Sequence, residues 1–217
     1  MKKIFALLWL VSFNAILAQN TNNTTPFSTF EYGAYAGINF ESISEIGGAF
    51  FIEINTNLIS DLKLKLSLGY SRSYMPTSYT VQTYSTIKID TSIFYQAAKY
   101  DVSRKEYDVF PISLGLKSIF DNEFFSPYLL FDFNYNMIDT KIGRSAGYYW
   151  TYNTFDELPV EYRIEYDEVL PDNSIGIAFG FGAMYHISAH IAFDFRYFYK
   201  NDNKILDTHQ IVAGISL

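Results

Sequence analysis

The sequence predicts an all-β chain: eight antiparallel strands closing up-and-down into a transmembrane β-barrel. Three observations predict it. Hydrophobic residues recur at every second position through most of the 217 residues, which is the period of a strand and not of a helix. The opposite face of each alternating segment is made of Gly, Ala, Ser and Asn with isolated charges, which suits the inside of a narrow barrel better than a surface turned to water. The connections are short at one end of the pattern and include two long ones at the other.

The elements follow in order. Lys2 and Lys3, then the apolar run Ile4 to Val11, then Ala15-Ile16-Leu17-Ala18 form a three-part secretory leader with cleavage expected after Ala18. Ile4 to Ala18 is too short to span a bilayer comfortably and is interrupted by Ser12 and Asn14, which argues against an anchor. Residues 19–28 read as a polar tether, and 29–217 as the barrel domain. Phe30, Tyr32, Ala34, Ala36, Ile38 and Phe40 make one face of the first strand against Glu31, Gly33, Tyr35, Gly37 and Asn39. Phe50, Ile52 and Ile54 oppose Glu53 and Asn55 in the second, and Leu62 to Tyr70 alternate with Lys63, Lys65, Ser67 and Gly69 in the third. Phe110 to Leu116 oppose Ser113, Gly115 and Lys117, and Leu129 to Met137 oppose Asp132, Asn134 and Asn136. Ile175 to Tyr185 alternate with Gly176, Ala178, Gly180 and Gly182. Ile191 to Tyr199 alternate with Ala192, Asp194 and Arg196, and Ile211 to Leu217 with Gln210, Gly214 and Ser216. Thr56–Asp61, Asp121–Ser126 and His186–Ala189 are the short turns of one end. The other end has Glu41–Glu45 and Asn201–Leu206, and long loops over about Met75–Glu106 and Ile138–Asn173. Tyr79–Ile89 and Val160–Tyr166 still alternate; they would extend the wall above the membrane, and two further strands there would make ten.

Composition narrows the function classes. Sixteen basic residues against 23 acidic ones give a net charge of −7, so a nucleic-acid partner is not expected. The absence of cysteine removes disulfides, thiolate metal sites and cysteine nucleophiles. Inward charges come four against four: Glu31, Glu53, Asp132 and Asp194 with Lys63, Lys65, Lys117 and Arg196. Buried charges need partners, so a paired network filling the lumen is expected, which leaves a narrow solute channel as the weaker alternative.

The stretches Gly47-Gly48-Ala49-Phe50-Phe51, Leu66-Ser67-Leu68-Gly69-Tyr70-Ser71 and Phe110-Pro111-Ile112-Ser113-Leu114-Gly115-Leu116-Lys117 resemble the small outer-membrane β-barrel family that includes PorT-like and OmpX- or OmpA-like domains. Pro127-Tyr128 and the closing Val212-Ala213-Gly214-Ile215-Ser216-Leu217 are similar too. The resemblance implies an eight-stranded barrel in the outer membrane of a Gram-negative bacterium, in contact with its lipids and inserted by the barrel-assembly machinery. That machinery reads a closing strand with alternate apolar residues, here Ala213, Ile215 and Leu217, although the family's final aromatic is missing. The family includes many members without enzymatic role and PorT-like members associated with protein secretion.

Candidate chemistry is sparse. His186-Ile187-Ser188 matches the His-x-Ser pair of lipid A deacylases, but it falls in a short turn at the end away from the long loops, with no carboxylate nearby in sequence. His190 and His209 have no ligand spacing. Catalytic residues, cofactors and metal ligands are therefore not assigned; a lipid-modifying enzyme remains the minor alternative. Glu165, Asp167, Glu168 and Asp172 lie in an acid-rich loop that also holds Asp156, Glu157 and Glu161, and its ordinary reading is a solvated loop rather than a calcium site. Tyr148, Tyr149, Trp150, Tyr152, Tyr162 and Tyr166 in one long loop, and Tyr74, Tyr79, Tyr84, Tyr95 and Tyr100 in the other, fit either an interfacial girdle or a surface that recognises an extracellular protein or glycan. The expected molecule is a monomeric, non-enzymatic outer-membrane barrel displaying two long surface loops.

Overall fold

The computed structural model describes residues 27, 29–41, 45–120, 124–145, 147–166, 170–188, 190–205 and 207–217; the leader, most of the tether, Asp167 and Glu168 lie outside them. Among the described residues nine strands form: β1 Phe30–Phe40, β2 Ile46–Ile59, β3 Leu62–Ile89, β4 Ser92–Ile119, β5 Phe125–Arg144, β6 Tyr148–Tyr152, β7 Asn173–Ser188, β8 Ile191–Asp202 and β9 Thr208–Ser216. Eight of them pair antiparallel with their neighbours, and β1 pairs with β9, from Gly33↔Ser216 to Phe40↔His209, so the sheet closes on itself. Closure removes the two edges that an open sheet would expose. β6 stands outside the ring and, among the described residues, pairs only with β4.

Burial follows the alternation strand by strand. Phe133 on β5 is 46% exposed and Phe193 on β8 46%, while Asp132 beside the first is 4% exposed and Asp194 beside the second 0%. A water-soluble barrel would show the reverse. This wall presents Ile52, Leu66, Ile112, Leu129, Phe179 and Ile215 to its surroundings and keeps its ions inside, as hydrocarbon solvent requires.

Glycine makes room for the large lumen side chains. The Tyr35 ring lies across Gly33 and across Gly214, the register partner of Tyr35, where a Cβ on Gly214 would come within 2.4 Å of the ring and 2.1 Å of the Ala34 carbonyl oxygen. Tyr128 occupies the matching place over Gly182. Backbone cannot yield at that distance, so Gly214→Ala at the closing seam is expected to cost about 1–3 kcal/mol by overpacking. The check is a lower urea midpoint for unfolding from phospholipid vesicles, with an unchanged midpoint counting against the account.

Two sequence expectations change. Met75–Glu106 is not a loop: β3 and β4 run 28 residues each and meet at a two-residue turn, Asp90-Thr91, with Asp90 at φ 54°. Alternation continues through Tyr79–Ile89 because this stretch is strand, as the extended-wall reading had it. Val160–Tyr166 does not extend the wall; Val160–Tyr162 is a 3₁₀ turn following another at Phe155–Glu157. Pro159 fixes the backbone at the entry to that turn and ends any pairing there. The additional strand above the ring is β6, and the ring itself holds eight.

Candidate functional site

Among the described residues, chemistry-bearing side chains come together in four regions: the lumen, a recess at the short-turn end, an ionic row on the outer wall, and the head above the ring.

In the lumen the eight inward charges pair as their numbers suggested. Lys63 meets Glu31, and Lys65 Nζ lies 2.6 Å from Asp132 Oδ2. Arg196 donates to Glu53 Oε2 at 2.6 Å and to Asp194 Oδ2 at 2.7 Å, while Lys117 Nζ lies 3.4 Å from the same Asp194 oxygen. The Tyr35 hydroxyl donates to Glu53 at 2.9 Å, Tyr128 donates to Asp194, and Asn55 donates to Glu53 at 2.9 Å. The guanidinium of Arg196 lies 3.6 Å from the centroid of the Tyr35 ring. Charge-assisted hydrogen bonds thus satisfy both carboxylates of this layer. Lys200 also faces inward and was not among the four cations read from the sequence, because the pattern around it, Tyr199-Lys200-Asn201, no longer alternates apolar with polar. It lies between two voids of about 20 and 10 Å³, one lined with Asn136 and Asp202, the other with Asp132 and Gln210. Each has room for about one water.

At the short-turn end, the histidine and serine of the His-x-Ser match part company. His186 lies within β7 rather than in a turn, and its Nε2 is 3.1 Å from the Oγ of Ser126 on β5; Ser188 Oγ accepts from the His190 amide at 3.3 Å. The pair lines a 210 Å³ recess with Ser60, Asp61, Lys63, Ile119 and Met184. Among the described residues no carboxylate is hydrogen-bonded to His186. His209 Nδ1 is 2.6 Å from the Tyr197 hydroxyl. Among the described residues no group of three or more His, Asp or Glu side chains could hold a metal ion, and Asp167 and Glu168 of the candidate calcium set lie outside them.

On the outer wall, just above the apolar band, Arg72, Asp108 and Lys141 from three adjacent strands form an ionic row. Asp108 accepts from Arg72 Nε at 2.7 Å, from Lys141 Nζ at 2.7 Å and from the Tyr70 hydroxyl at 2.6 Å. Burial opposes ionisation of Asp108, yet these three donors outweigh it and hold the carboxyl well below the usual carboxylate range.

Above that row stands the head. Upper β3, upper β4 and β6 form an antiparallel three-stranded sheet, with Tyr95↔Tyr152, Ala97↔Trp150 and Lys99↔Tyr148 as partners. One face carries Ala97, Leu158 and Tyr162 with Tyr84, Tyr95 and Tyr152 packed around them; the other carries Val81, Ala98, Tyr100 and Val102 with Tyr79 and Ile142. The 3₁₀ turns are stapled by Arg163, which donates to the carbonyl oxygens of Leu158 at 2.9 Å and Asp156 at 2.7 Å. Thr83 donates to the Ile164 carbonyl at 2.9 Å and accepts from the Tyr166 amide at 3.0 Å, tying that segment to β3. Most of the loop tyrosines are therefore core of a small folded unit, neither girdle nor display. Tyr148, Tyr149 and Trp150 remain exposed, with the Tyr148 and Trp150 rings 6.2 Å apart and nearly parallel. Asp156, Glu157, Glu161 and Glu165 are exposed on the turns beside them.

Comparison with known proteins supports the fold. No protein-family model matches the chain, and no curated protein matches it. Among solved structures, the Neisserial surface protein A is similar at 15% identity and a TM-score of 0.51, over 87% of this chain and 96% of that one. The N-terminal β-barrel domain of OprF from Pseudomonas aeruginosa aligns at 12% identity, over 88% of this chain and 98% of that one, with a TM-score of 0.44. Ail, the attachment invasion locus protein of Yersinia pestis, aligns at 12% identity over 89% and 100%, with a TM-score of 0.41. Closed by β1 against β9, apolar outside and ionic within, the chain has the fold of the small eight-stranded outer-membrane β-barrels.

Proposed function

We propose that this chain is a non-enzymatic barrel of the Gram-negative outer membrane that holds a folded, aromatic and acidic head above the cell surface, where the head recognises a partner molecule. Residues 1–18 direct its export, the barrel-assembly machinery inserts it, and outer-membrane lipids surround its apolar wall. The lumen is a sealed anchor: Glu53, Asp194, Lys117 and Arg196 are spent on one another, and the voids above them are no larger than a water or so. The observation that carries the reading is the head. A chain that needed only an anchor would gain nothing from extending two strands to 28 residues and packing Leu158 and Tyr162 against them. Exposed tyrosine and tryptophan give large contact area at low entropic cost, which suits recognition.

The absence of cysteine makes the test clean. In Tyr149→Cys, a membrane-impermeant maleimide is expected to label the protein on intact cells as fully as after lysis, and the purified barrel is expected to be silent in planar bilayers. Labelling only after lysis would place the head on the wrong side and end this reading; steady conductance would replace the sealed anchor with a channel.

A further inference from the structure

The head sheet has two long edges, and the structure treats them differently. The β3 edge is tied to Ile164 and Tyr166 through Thr83. The opposite edge runs up β5 and then β6, which takes the place of β5 beside β4 once β5 ends at Arg144. Along its lower part this edge carries Lys141 and Arg144, charges of the kind that protect free strands from pairing. β6 carries no such protection. Its sequence is Tyr-Tyr-Trp-Thr-Tyr, without Lys, Pro or bulge, and among the described residues no strand pairs with its outer side. An aromatic strand with a free row of backbone groups is a template for one more strand.

Two occupants compete, and charge decides between them. A second copy could pair β6 with β6 about Trp150, setting aromatic against aromatic. That arrangement would also bring together two sets of Asp156, Glu157, Glu161 and Glu165, all exposed, and like charges across an interface are repelled. An extended segment rich in Lys or Arg meets the same acids favourably and can place its cations over the exposed rings of Tyr148 and Trp150. We propose that β6 is a docking edge for an extended, basic segment of a partner protein, which adds to the head sheet as a further strand. The proposal rests on the surface-display reading and names the partner chemistry for the same head.

The test uses the full chain refolded into zwitterionic nanodiscs, and as probes three synthetic peptides of about ten residues, long enough to run along the whole upper edge. One alternates Lys with Val and Thr, one has Glu for each Lys, and one keeps the lysines with a central Pro. Hydrogen exchange of Tyr148–Tyr152 reports the edge. The basic peptide is expected to bind saturably and slow exchange there, with the acidic and Pro-bearing peptides at least about ten-fold weaker. Tyr149→Lys/Thr151→Lys is expected to weaken the basic peptide about ten-fold or more while gel migration of the folded barrel is unchanged. Equal binding of the Pro-bearing peptide would overturn strand addition, and equal binding of the acidic one would overturn the charge argument. No saturable binding, or a dimer that protects β6 without peptide, would overturn the proposal. Intact-cell labelling of Tyr149→Cys separates the two readings: labelling with failed peptide binding removes the docking edge and leaves display standing.

Discussion

Replacing Arg196 with Met is expected to cost about 3–5 kcal/mol of barrel stability, because it leaves Glu53 and Asp194 ionised or reprotonated in a region too tightly packed to hydrate them. Arg196 is 0% exposed, and so are the Glu53 and Asp194 side chains it joins. The loss should show as a large drop in the urea midpoint for unfolding from phospholipid vesicles, with the unheated protein no longer running as the compact gel species. Restoring neutrality discriminates the cause. In Arg196→Met/Glu53→Gln, Asp194 still has Lys117 at 3.4 Å and the Tyr128 hydroxyl, and the amide oxygen that replaces the Glu53 carboxylate can still accept from the Tyr35 hydroxyl. Most of the stability is expected to return, since replacing a whole buried pair is far cheaper than breaking one. A double variant as weak as the single one would instead assign the loss to packing of the guanidinium against the Tyr35 ring.

The same pairing explains why so much of the barrel could be read in advance. In a strand, one residue of shift turns every side chain to the other face, so a ladder such as Leu64-Lys65-Leu66-Ser67-Leu68 fixes which side chains face the lumen and excludes every odd shift of register. Lys65 and Asp132 lie on different strands and 67 residues apart, yet both had to point inward, and a lumen a few side chains wide leaves them nowhere else to find charge. Which acid meets which base depends on strand tilt and stagger, and that lies beyond what alternation carries.

The head was less legible for a physical reason. Above the membrane a two-sided sheet buries residues on both faces, so Ala97, Ala98, Tyr100 and Val102 on β4 carry no clean two-residue period, and that strand reads as part of a loop rich in tyrosine. The partner of upper β4 is β6, about fifty residues further on, and its five residues are shorter than any pattern could establish. The turn residues Asp90-Thr91 also lack the glycine that marks most two-residue hairpins, with Asp90 taking the left-handed conformation instead. For His186 the sequence neighbour Ser188 was misleading, since the hydroxyl it meets belongs to Ser126, brought alongside by the pairing of β5 with β7.

If the head is a folded unit with its own core, one buried residue should unfold it and spare the ring. Leu158 is 1% exposed and sits between Ala97 and Tyr162, with Tyr84, Tyr95 and Tyr152 around it. Leu158→Asp places an unpaired charge in that apolar nest and removes its packing, a loss of about 3 kcal/mol or more. Among the described residues the covering turns are also tied to the sheet by the Thr83 hydroxyl and by the Tyr166 hydroxyl, which donates to that of Tyr79 at 3.3 Å, exposed bonds that a penalty of that size outweighs. Brief protease treatment is then expected to cut within residues 147–166 about a hundred-fold faster than in the parent, since cleavage tracks the population of the open state and each 1.4 kcal/mol is tenfold. The ring, held by a closed ladder of backbone hydrogen bonds and by the ions of its lumen, should keep its compact gel migration and its urea midpoint. Failure of the variant to form the compact species would mean that head and ring fold as one cooperative body. Cleavage at the parental rate would mean that the turns are anchored by something other than the Leu158 core.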